Sequence, residues 1–228
     1  MSVSKRELAA TIYYPETDGK PMGETDFHIK VIVDISEALR NFFRPQLDVY
    51  VSRDLLLYYE PGNTRKYVVP DVFVVRGVNK GARRVYKLWE EGRPPNVVIE
   101  ISSRETEKAD LDRKFHLYEQ LGVAEYYVFD PERRYVKPPF RAWRLSGGKY
   151  VEVAVINGRV SSDELGLELV DTGQTLRLFN PATGGFLLTP EEEAVVRQEE
   201  ADARQEAEAH AARLAARLRE LGVDPDKL

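Results

Sequence analysis

The chain contains 228 residues, which is enough for one well-buried domain with an appendage or for two small domains. Because it has no cysteine, disulfides, thiolate zinc sites and cysteine nucleophiles are excluded, and a reducing cytoplasm is the expected location. The net charge of −5 lies in residues 190–228, which contain eleven acidic and six basic residues, so the neutral remainder does not favour strong nonspecific binding of nucleic acid.

An amphipathic helix is predicted from Glu24 to about Arg44, because apolar residues recur there at spacings of three and four before Pro45. Glu24 and His28 project from nearly the same side of this helix, whereas Glu37 lies on the opposite side. If the helix supplies an acid to a buried site, Glu24 is therefore the better candidate.

Extended segments are predicted next, over Leu47 to Tyr59 and Tyr67 to Arg76, where aromatic and β-branched residues are dense. Asn96 to Ser102 is a further predicted strand. The helical pattern from Thr106 to Leu121 and the strand from Glu125 to Asp130 then complete a strand, helix and strand unit. Such a unit makes its two strands parallel neighbours in one sheet, so the expected fold class is α/β.

After residue 137 the pattern changes to short alternating strands with glycine turns, which predicts a β-rich extension over residues 138–189 packed on a core of residues 1–137. Residues 190–228 form the third segment. A capping threonine, a following proline and three acids mark the start of a long helix that ends near Leu221. Its narrow leucine seam suits a coiled coil, and hence a homo-oligomer, whereas a helix folded back on its own domain is the alternative.

Two carboxylates lie inside apolar strand patterns, since Asp71 precedes Val72-Phe73-Val74-Val75 and Glu100 stands between two isoleucines. Burying an unpaired charge is so unfavourable that such acids are usually paired, protonated or bound to a metal. If the two carboxylates approach to about 4 Å, their repulsion at an effective dielectric of about 20 is roughly 4 kcal/mol. A divalent cation removes that penalty, and Mg²⁺ or Mn²⁺ suits a site of oxygen ligands and water.

Lys114 is the candidate for a positive group beside these acids. On the predicted helix it borders the stripe formed by Leu111, Phe115 and Tyr118, which is the face expected to pack on the sheet. Its side chain is long enough to reach back toward Glu100. The alternatives are a solvent contact for the lysine and structural ion pairs for the two acids.

A basic segment from Arg76 to Arg93 is the best candidate for a face that contacts DNA. It contains six basic residues, with only Glu90 and Glu91 as counter-charges. Because the body of the chain is neutral, contact with DNA has to come from a local basic face of this kind. A solvated loop is the alternative interpretation.

Several short motifs occur in a fixed order over about residues 20–135. They are Pro70-Asp71, Val98-Ile99-Glu100-Ile101-Ser102-Ser103, Asp110 with Lys114, Tyr118, Gly122-Val123-Ala124-Glu125-Tyr126 and Asp130-Pro131. In this order and spacing they resemble the Uma-type restriction-endonuclease-like family of bacteria, a group within the PD-(D/E)XK nuclease superfamily. Residues 181–225 resemble the coiled-coil extension of some members.

The resemblance implies a restriction-endonuclease-like mixed sheet flanked by helices. It implies that Asp71 and Glu100 bind metal and that the backbone carbonyl of Ile101 is a further ligand. The superfamily pattern has a lysine two residues after the second acid, whereas this chain has Ser102 there. The resemblance therefore points to Lys114 for the role of that lysine.

The implied function is that of a metal-dependent DNA endonuclease using Mg²⁺ or Mn²⁺. Glu24 resembles the extra acid that superfamily members often supply from the first helix, with His28 one turn along. A catalytically silent nucleic-acid-binding or regulatory module is the alternative, favoured by Ser102 and the neutral body. A third interpretation makes the C-terminal helix the functional part.

No apolar run reaches about 18 residues, so no membrane partner is expected.

Overall fold

The computed structural model describes residues 12–15 and 25–221, whose helices and strands follow the apolar patterns of the sequence. In chain order the elements are α1 (Asp26–Phe42), β1 (Val49–Arg53), β2 (Leu57–Tyr58), β3 (Tyr67–Val68), β4 (Val72–Arg76), β5 (Tyr86–Lys87), α2 (Leu88–Glu91), β6 (Val97–Ile101), a π-helical segment (Ala109–Lys114), α3 (Phe115–Leu121), β7 (Glu125–Phe129), β8 (Phe140–Ser146), β9 (Lys149–Val153), β10 (Arg159–Ser162), β11 (Leu167–Asp171), β12 (Leu176–Asn180), β13 (Gly185–Phe186) and α4 (Pro190–Glu220).

The central sheet has six strands in the order β1-β4-β6-β7-β8-β9. Strands β6 and β7 are parallel and are joined by the helical residues 109–121, as the strand, helix and strand pattern predicts. The pairs β1–β4, β4–β6, β7–β8 and β8–β9 are antiparallel. The expected mixed sheet flanked by helices is therefore confirmed.

Alternation along the central strands gives the sheet two apolar faces. Helix α1 covers one face, where its Ile35 lies in the same buried cluster as Ile99 of β6. Helix α3 belongs to the other face, where Tyr118 clusters with Val98 of β6. Because burial of one large apolar side chain stabilises a fold by about 1.5–3 kcal/mol, both helices are held firmly on the strands that carry the candidate acids.

Strands β8 and β9 extend the central sheet, so the sheet continues beyond residue 137 to Val153. The separate four-stranded sheet has the order β10-β11-β12-β13 and begins at Arg159. Its Leu169 and Leu178 share the buried cluster of α1. Residues up to Leu187 form one unit, and the finer division at residue 137 stays a prediction.

Helix α4 belongs to a second unit that begins at Leu188. It starts as predicted, with a capping box in which the Thr189 N–H donates to Glu192 Oε2 at 2.8 Å and the Glu192 N–H donates to Thr189 Oγ1 at 3.3 Å. The helix ends at Glu220, with Leu221 as its C-cap, in agreement with the predicted end near Leu221. Among residues 12–15 and 25–221, no helix combines the length and the apolar character that crossing a bilayer requires.

The loop that joins β7 to β8 is organised by one buried carboxylate, that of Asp130. Its two oxygens accept hydrogen bonds from five successive backbone N–H groups, those of residues 132–136, at 2.6–3.0 Å. This acid, directly after an apolar strand, therefore has a structural role. The loop lets β8 return antiparallel to β7.

We expect Asp130→Ala to lower the free energy of unfolding by about 3 kcal/mol, because it leaves several N–H groups without their charged acceptor. The measurement is urea unfolding of the full chain. Asp112→Ala is the matched control, since the Asp112 side chain is 82% exposed. Equal unfolding free energies for Asp130→Ala and the control would contradict the assigned role.

Candidate metal centre

Asp71 and Glu100 meet because β4 and β6 are antiparallel neighbours. The register pairs Val72 with Ile99, so Asp71 lies across from Glu100. The Ile101 N–H donates to Asp71 Oδ2 at 2.6 Å, and the Asp71 N–H donates to Glu100 Oε2 at 3.3 Å. Backbone pairing of the two strands therefore brings both acids to one place.

Lys114 lies at the same place. Its Nζ is 2.8 Å from Glu100 Oε2 and 3.0 Å from Asp110 Oδ1, and its side chain is only 12% exposed. The alternative of a simple solvent contact for this lysine is therefore wrong. The helical connection between β6 and β7 returns the ammonium group to the strand that carries Glu100.

The connection is π-helical where it passes the site, over Ala109–Lys114. A π-helical turn is wider than an α-helical turn and is found frequently at functional sites. Asp110, at the start of this turn, is 1% exposed, and its Oδ2 accepts a hydrogen bond from Ser102 Oγ at 2.9 Å. Sequence reasoning did not place Asp110 in the centre, although an acid four residues before a lysine on one helix face predicts the ion pair of Asp110 with Lys114.

Tyr118 is a second residue whose contact the sequence reasoning missed. Its hydroxyl donates to Glu100 Oε1 at 2.6 Å and is buried. Burial raises the pKa of the Tyr118 hydroxyl well above its usual range, and the nearby Glu100 raises it further, so the hydroxyl stays a donor. The position of Tyr118 four residues after Lys114 was the available signal, because both residues lie on the face that packs on the sheet.

The charged groups perturb one another strongly. Burial is the main cause that raises the pKa of Glu100 well above its usual range; Lys114 opposes this rise, and the nearby Asp71 and Asp110 add to it. Burial by itself would raise the pKa of Asp71, but the contacts with His28 and Lys114 and the Ile101 N–H bring it below its usual value. Three acidic side chains, those of Asp71, Glu100 and Asp110, thus lie near one ammonium group, that of Lys114.

Lys114 stays protonated in this environment. Burial by itself would lower the pKa of Lys114, but the carboxylates of Glu100, Asp110 and Asp71 raise it well above its usual range. The ammonium group is therefore a permanent positive charge and a hydrogen-bond donor.

The remaining predicted site residues are placed as follows. His28 is 4% exposed, and its Nε2 lies 3.7 Å from Asp71 Oδ2. Glu24 lies outside the described residues. Ser102 is buried and donates to Asp110, so it does not supply a positive charge to the centre.

The basic segment expected to face DNA is engaged within the protein. Lys80 Nζ lies 3.1 Å from the carbonyl of Arg44 and also donates to the carbonyl of Phe43, at the end of α1. Arg76 Nε donates to the carbonyl of Glu164 at 2.7 Å. Further along, Arg83 pairs with Glu91 and Lys87 with Glu90. These contacts favour the interpretation that the segment is structural.

The donor set fits a hard divalent cation that keeps several waters. Within residues 12–15 and 25–221, no group of three or more His, Asp and Glu side chains converges closely enough to hold a metal. Two carboxylates and a backbone carbonyl are nevertheless the ligands that Mg²⁺ takes when water completes its shell. Among the described residues, Oδ1 of Asp71 accepts no hydrogen bond, which leaves an oxygen for a cation.

Comparison with known proteins identifies the family. The Uma2 family, described as "Putative restriction endonuclease", matches residues 15–177. The chain belongs to the Uma2 family. Uma2 membership supports a nuclease-like function for the part of the chain that contains Asp71, Glu100 and Lys114.

The Uma2 chain is also similar to a solved structure. That structure is described as "a putative nuclease belonging to DUF820 from Anabaena variabilis", with 14% sequence identity and a TM-score of 0.47. The similarity covers 66% of this chain and 81% of the other. No curated protein matches the chain.

Removal of the buried Lys114 ammonium should destabilise the protein in the absence of metal. We expect Lys114→Met to lower the free energy of unfolding by about 3 kcal/mol, because Glu100 and Asp110 lose the ammonium that contacts both. Glu100→Gln should lower it far less, since it removes one of the mutually repelling charges. The measurement is urea unfolding in the presence of a chelator.

The matched control is Lys149→Met. Lys149 Nζ lies 2.8 Å from Glu119 Oε2, the same separation as in the Lys114–Glu100 pair, but the Lys149 side chain is 78% exposed. Exposed pairs contribute at most about 1 kcal/mol. A loss for Lys114→Met no larger than that for Lys149→Met would contradict the burial argument.

Proposed function

We propose that this Uma2 protein is a metal-dependent DNA endonuclease that hydrolyses phosphodiester bonds. The observation that carries the proposal is the meeting of Asp71, Glu100 and Lys114 at one place, with two acids on adjacent strands and an ammonium from the next helix. Carboxylates hold a divalent cation, and an ammonium group stabilises negative charge on a phosphate.

Asp71, Glu100 and the backbone carbonyl of Ile101 are the proposed ligands of Mg²⁺ or Mn²⁺. When bound, the cation supplies positive charge that offsets the two acids and the charge that develops on the phosphate in the transition state. His28 beside Asp71 and Tyr118 beside Glu100 hold the two carboxylates in position. Glu24 stays a predicted additional acid.

Lys114 acts as a donor and not as a base, because its raised pKa keeps the ammonium protonated. One of its N–H groups donates to Glu100 Oε2 at 2.8 Å, and the ammonium forms an ion pair with Asp110, whose Oδ1 lies 3.0 Å away. Another N–H can donate to a phosphate oxygen of the scissile bond. As water attacks phosphorus and the bond to the leaving oxygen breaks, this donor stabilises the growing negative charge.

We expect Asp71→Ala and Glu100→Ala each to lower the rate of Mg²⁺-dependent DNA cleavage by at least about a thousandfold, with Lys114→Ala nearly as severe. The measurement is single-turnover cleavage of single- and double-stranded DNA over a range of Mg²⁺ and Mn²⁺ concentrations. Asp112→Ala removes an exposed carboxylate from the same connection and should leave the rate unchanged.

Equal rates for the wild type, Asp71→Ala and Glu100→Ala would rule out this centre. A wild type that binds DNA without cleaving it would instead support the catalytically silent module. That alternative is favoured by Ser102, which provides no positive charge at the position two residues after Glu100.

Mg²⁺ binding provides a test that does not depend on turnover. We expect titration calorimetry to show Mg²⁺ uptake by the wild type and affinity at least about tenfold weaker for Asp71→Asn, which exchanges a charged ligand oxygen for an amide. Asp112→Asn is the matched control. Unchanged affinity in Asp71→Asn would remove this residue from the ligand set.

The expected homo-oligomer stays a prediction. Its basis is the C-terminal helix, where the side chains of Leu214 in α4 and of Leu221 at its C-cap are exposed in the single chain. Sedimentation equilibrium of the full chain tests it, with a Leu214→Ala and Leu221→Ala double variant for comparison. A monomer at all concentrations would contradict the prediction.

A further inference from the structure

A line of four polar side chains leads from strand β6 to the π-helical segment and back. Ser102 Oγ donates to Asp110 Oδ2 at 2.9 Å, and Asp110 Oδ1 lies 3.0 Å from Lys114 Nζ. Lys114 Nζ in turn lies 2.8 Å from Glu100 Oε2. Ser102 is two residues after Glu100 on the chain. The three contacts and this short stretch of β6 therefore form a closed ring that includes Asp110.

The carboxylate of Asp110 is unfavourable on electrostatic grounds alone. It is 1% exposed and lies near a centre that already contains Asp71 and Glu100, and its charge helps to raise the pKa of Glu100. A neutral side chain would avoid that repulsion. The buried charge therefore requires a partner that compensates it, and Lys114 is in contact with it.

The Lys114 side chain needs a contact that holds its ammonium in the centre. A lysine side chain is long and flexible, and its ammonium gains hydration by extending toward water. The Lys114 side chain retains 12% exposure, so part of it borders solvent. A second carboxylate on the inner side keeps the ammonium beside Glu100.

The backbone of Asp110 is anchored as firmly as its side chain. Its carbonyl accepts a hydrogen bond from the Tyr126 hydroxyl at 2.9 Å, and its N–H donates to the carbonyl of Thr106 at 2.9 Å. Asp110 and Lys114 are the second and last residues of the π-helical segment Ala109–Lys114. The widened turn and the two anchors hold the carboxylate rigidly toward the lysine.

We propose that Asp110 is a positioning residue that holds the Lys114 ammonium beside Glu100, and that Ser102 orients the Asp110 carboxylate. The kinetic consequence of this inference rests on the proposed function, whereas the placement of the ammonium does not. Ser102 thus contributes to the centre through Asp110 and Lys114, although it carries no charge itself.

The kinetic test is DNA cleavage by Asp110→Asn under steady-state conditions, with DNA in excess. We expect kcat to fall about tenfold to a hundredfold, as for other outer partners of a metal site, while KM for DNA stays within about twofold. Asp110→Glu, which keeps the charge, should recover part of the rate. In a Lys114→Met background, Asp110→Asn should cause no further loss, because its effect passes through the lysine.

The matched control is Asp112→Asn, which removes the same charge from the same segment at a side chain that is 82% exposed. It should cleave DNA at the wild-type rate. A full additional loss from Asp110→Asn in the Lys114→Met background would overturn the positioning role, as would equal rates for Asp110→Asn and the wild type.

The placement of the ammonium is tested without turnover by nitrogen NMR of isotope-labelled lysine side chains in the full chain. The Lys114 signal is assigned by its loss in Lys114→Met. We expect that signal to shift and broaden in Asp110→Asn, to shift less in Ser102→Ala, and to stay unchanged in Asp112→Asn. Ser102→Ala keeps the test informative if Asp110→Asn does not fold.

The two readouts separate the two proposals. If the wild type cleaves no DNA but the Lys114 signal shifts as expected, the nuclease proposal fails and the positioning role stands. If cleavage depends on Asp71 and Glu100 but the Lys114 signal is unchanged in both Asp110→Asn and Ser102→Ala, the nuclease proposal stands and the positioning role is overturned.

Discussion

The contact between the Lys114 ammonium and the buried Glu100 carboxylate is the interaction on which the centre depends. Glu100 is fully buried in an apolar strand, and an isolated carboxylate in that position would be strongly unfavourable. The ammonium arrives from the connection that makes β6 and β7 parallel neighbours. The same segment of chain thus connects the two parallel strands and supplies the positive charge that Glu100 requires.

The compensation of charge is incomplete. Asp71, Glu100 and Asp110 surround one lysine, with His28 beside Asp71. Burial and the neighbouring acids leave Glu100 with a raised pKa, so this carboxylate takes up a proton more readily than an exposed glutamate. A fold that retains this repulsion gives up stability locally, as sites built to bind a ligand commonly do.

The arrangement also relates Ser102 to the chemistry in a way that a motif alone does not reveal. Two residues after Glu100, the chain has a hydroxyl, and the positive charge comes from the following helix instead. The hydroxyl and the charge remain connected, because Ser102 contacts Asp110 and Asp110 contacts Lys114.

Local patterns in the sequence determined the main elements and the burial of the two acids. Periods of two and of 3.6 residues place α1, β6 and β7, and the apolar neighbours of Asp71 and Glu100 predict that both carboxylates are buried. Only the tertiary structure decided that β8 and β9 continue the central sheet, and that Lys80 contacts the end of α1. Both features depend on contacts between residues far apart in the sequence. Local periodicity carries no information about which distant segments pack together. The same reason applies to Asp110, whose inward orientation requires the π-helical turn and the packed face of the sheet.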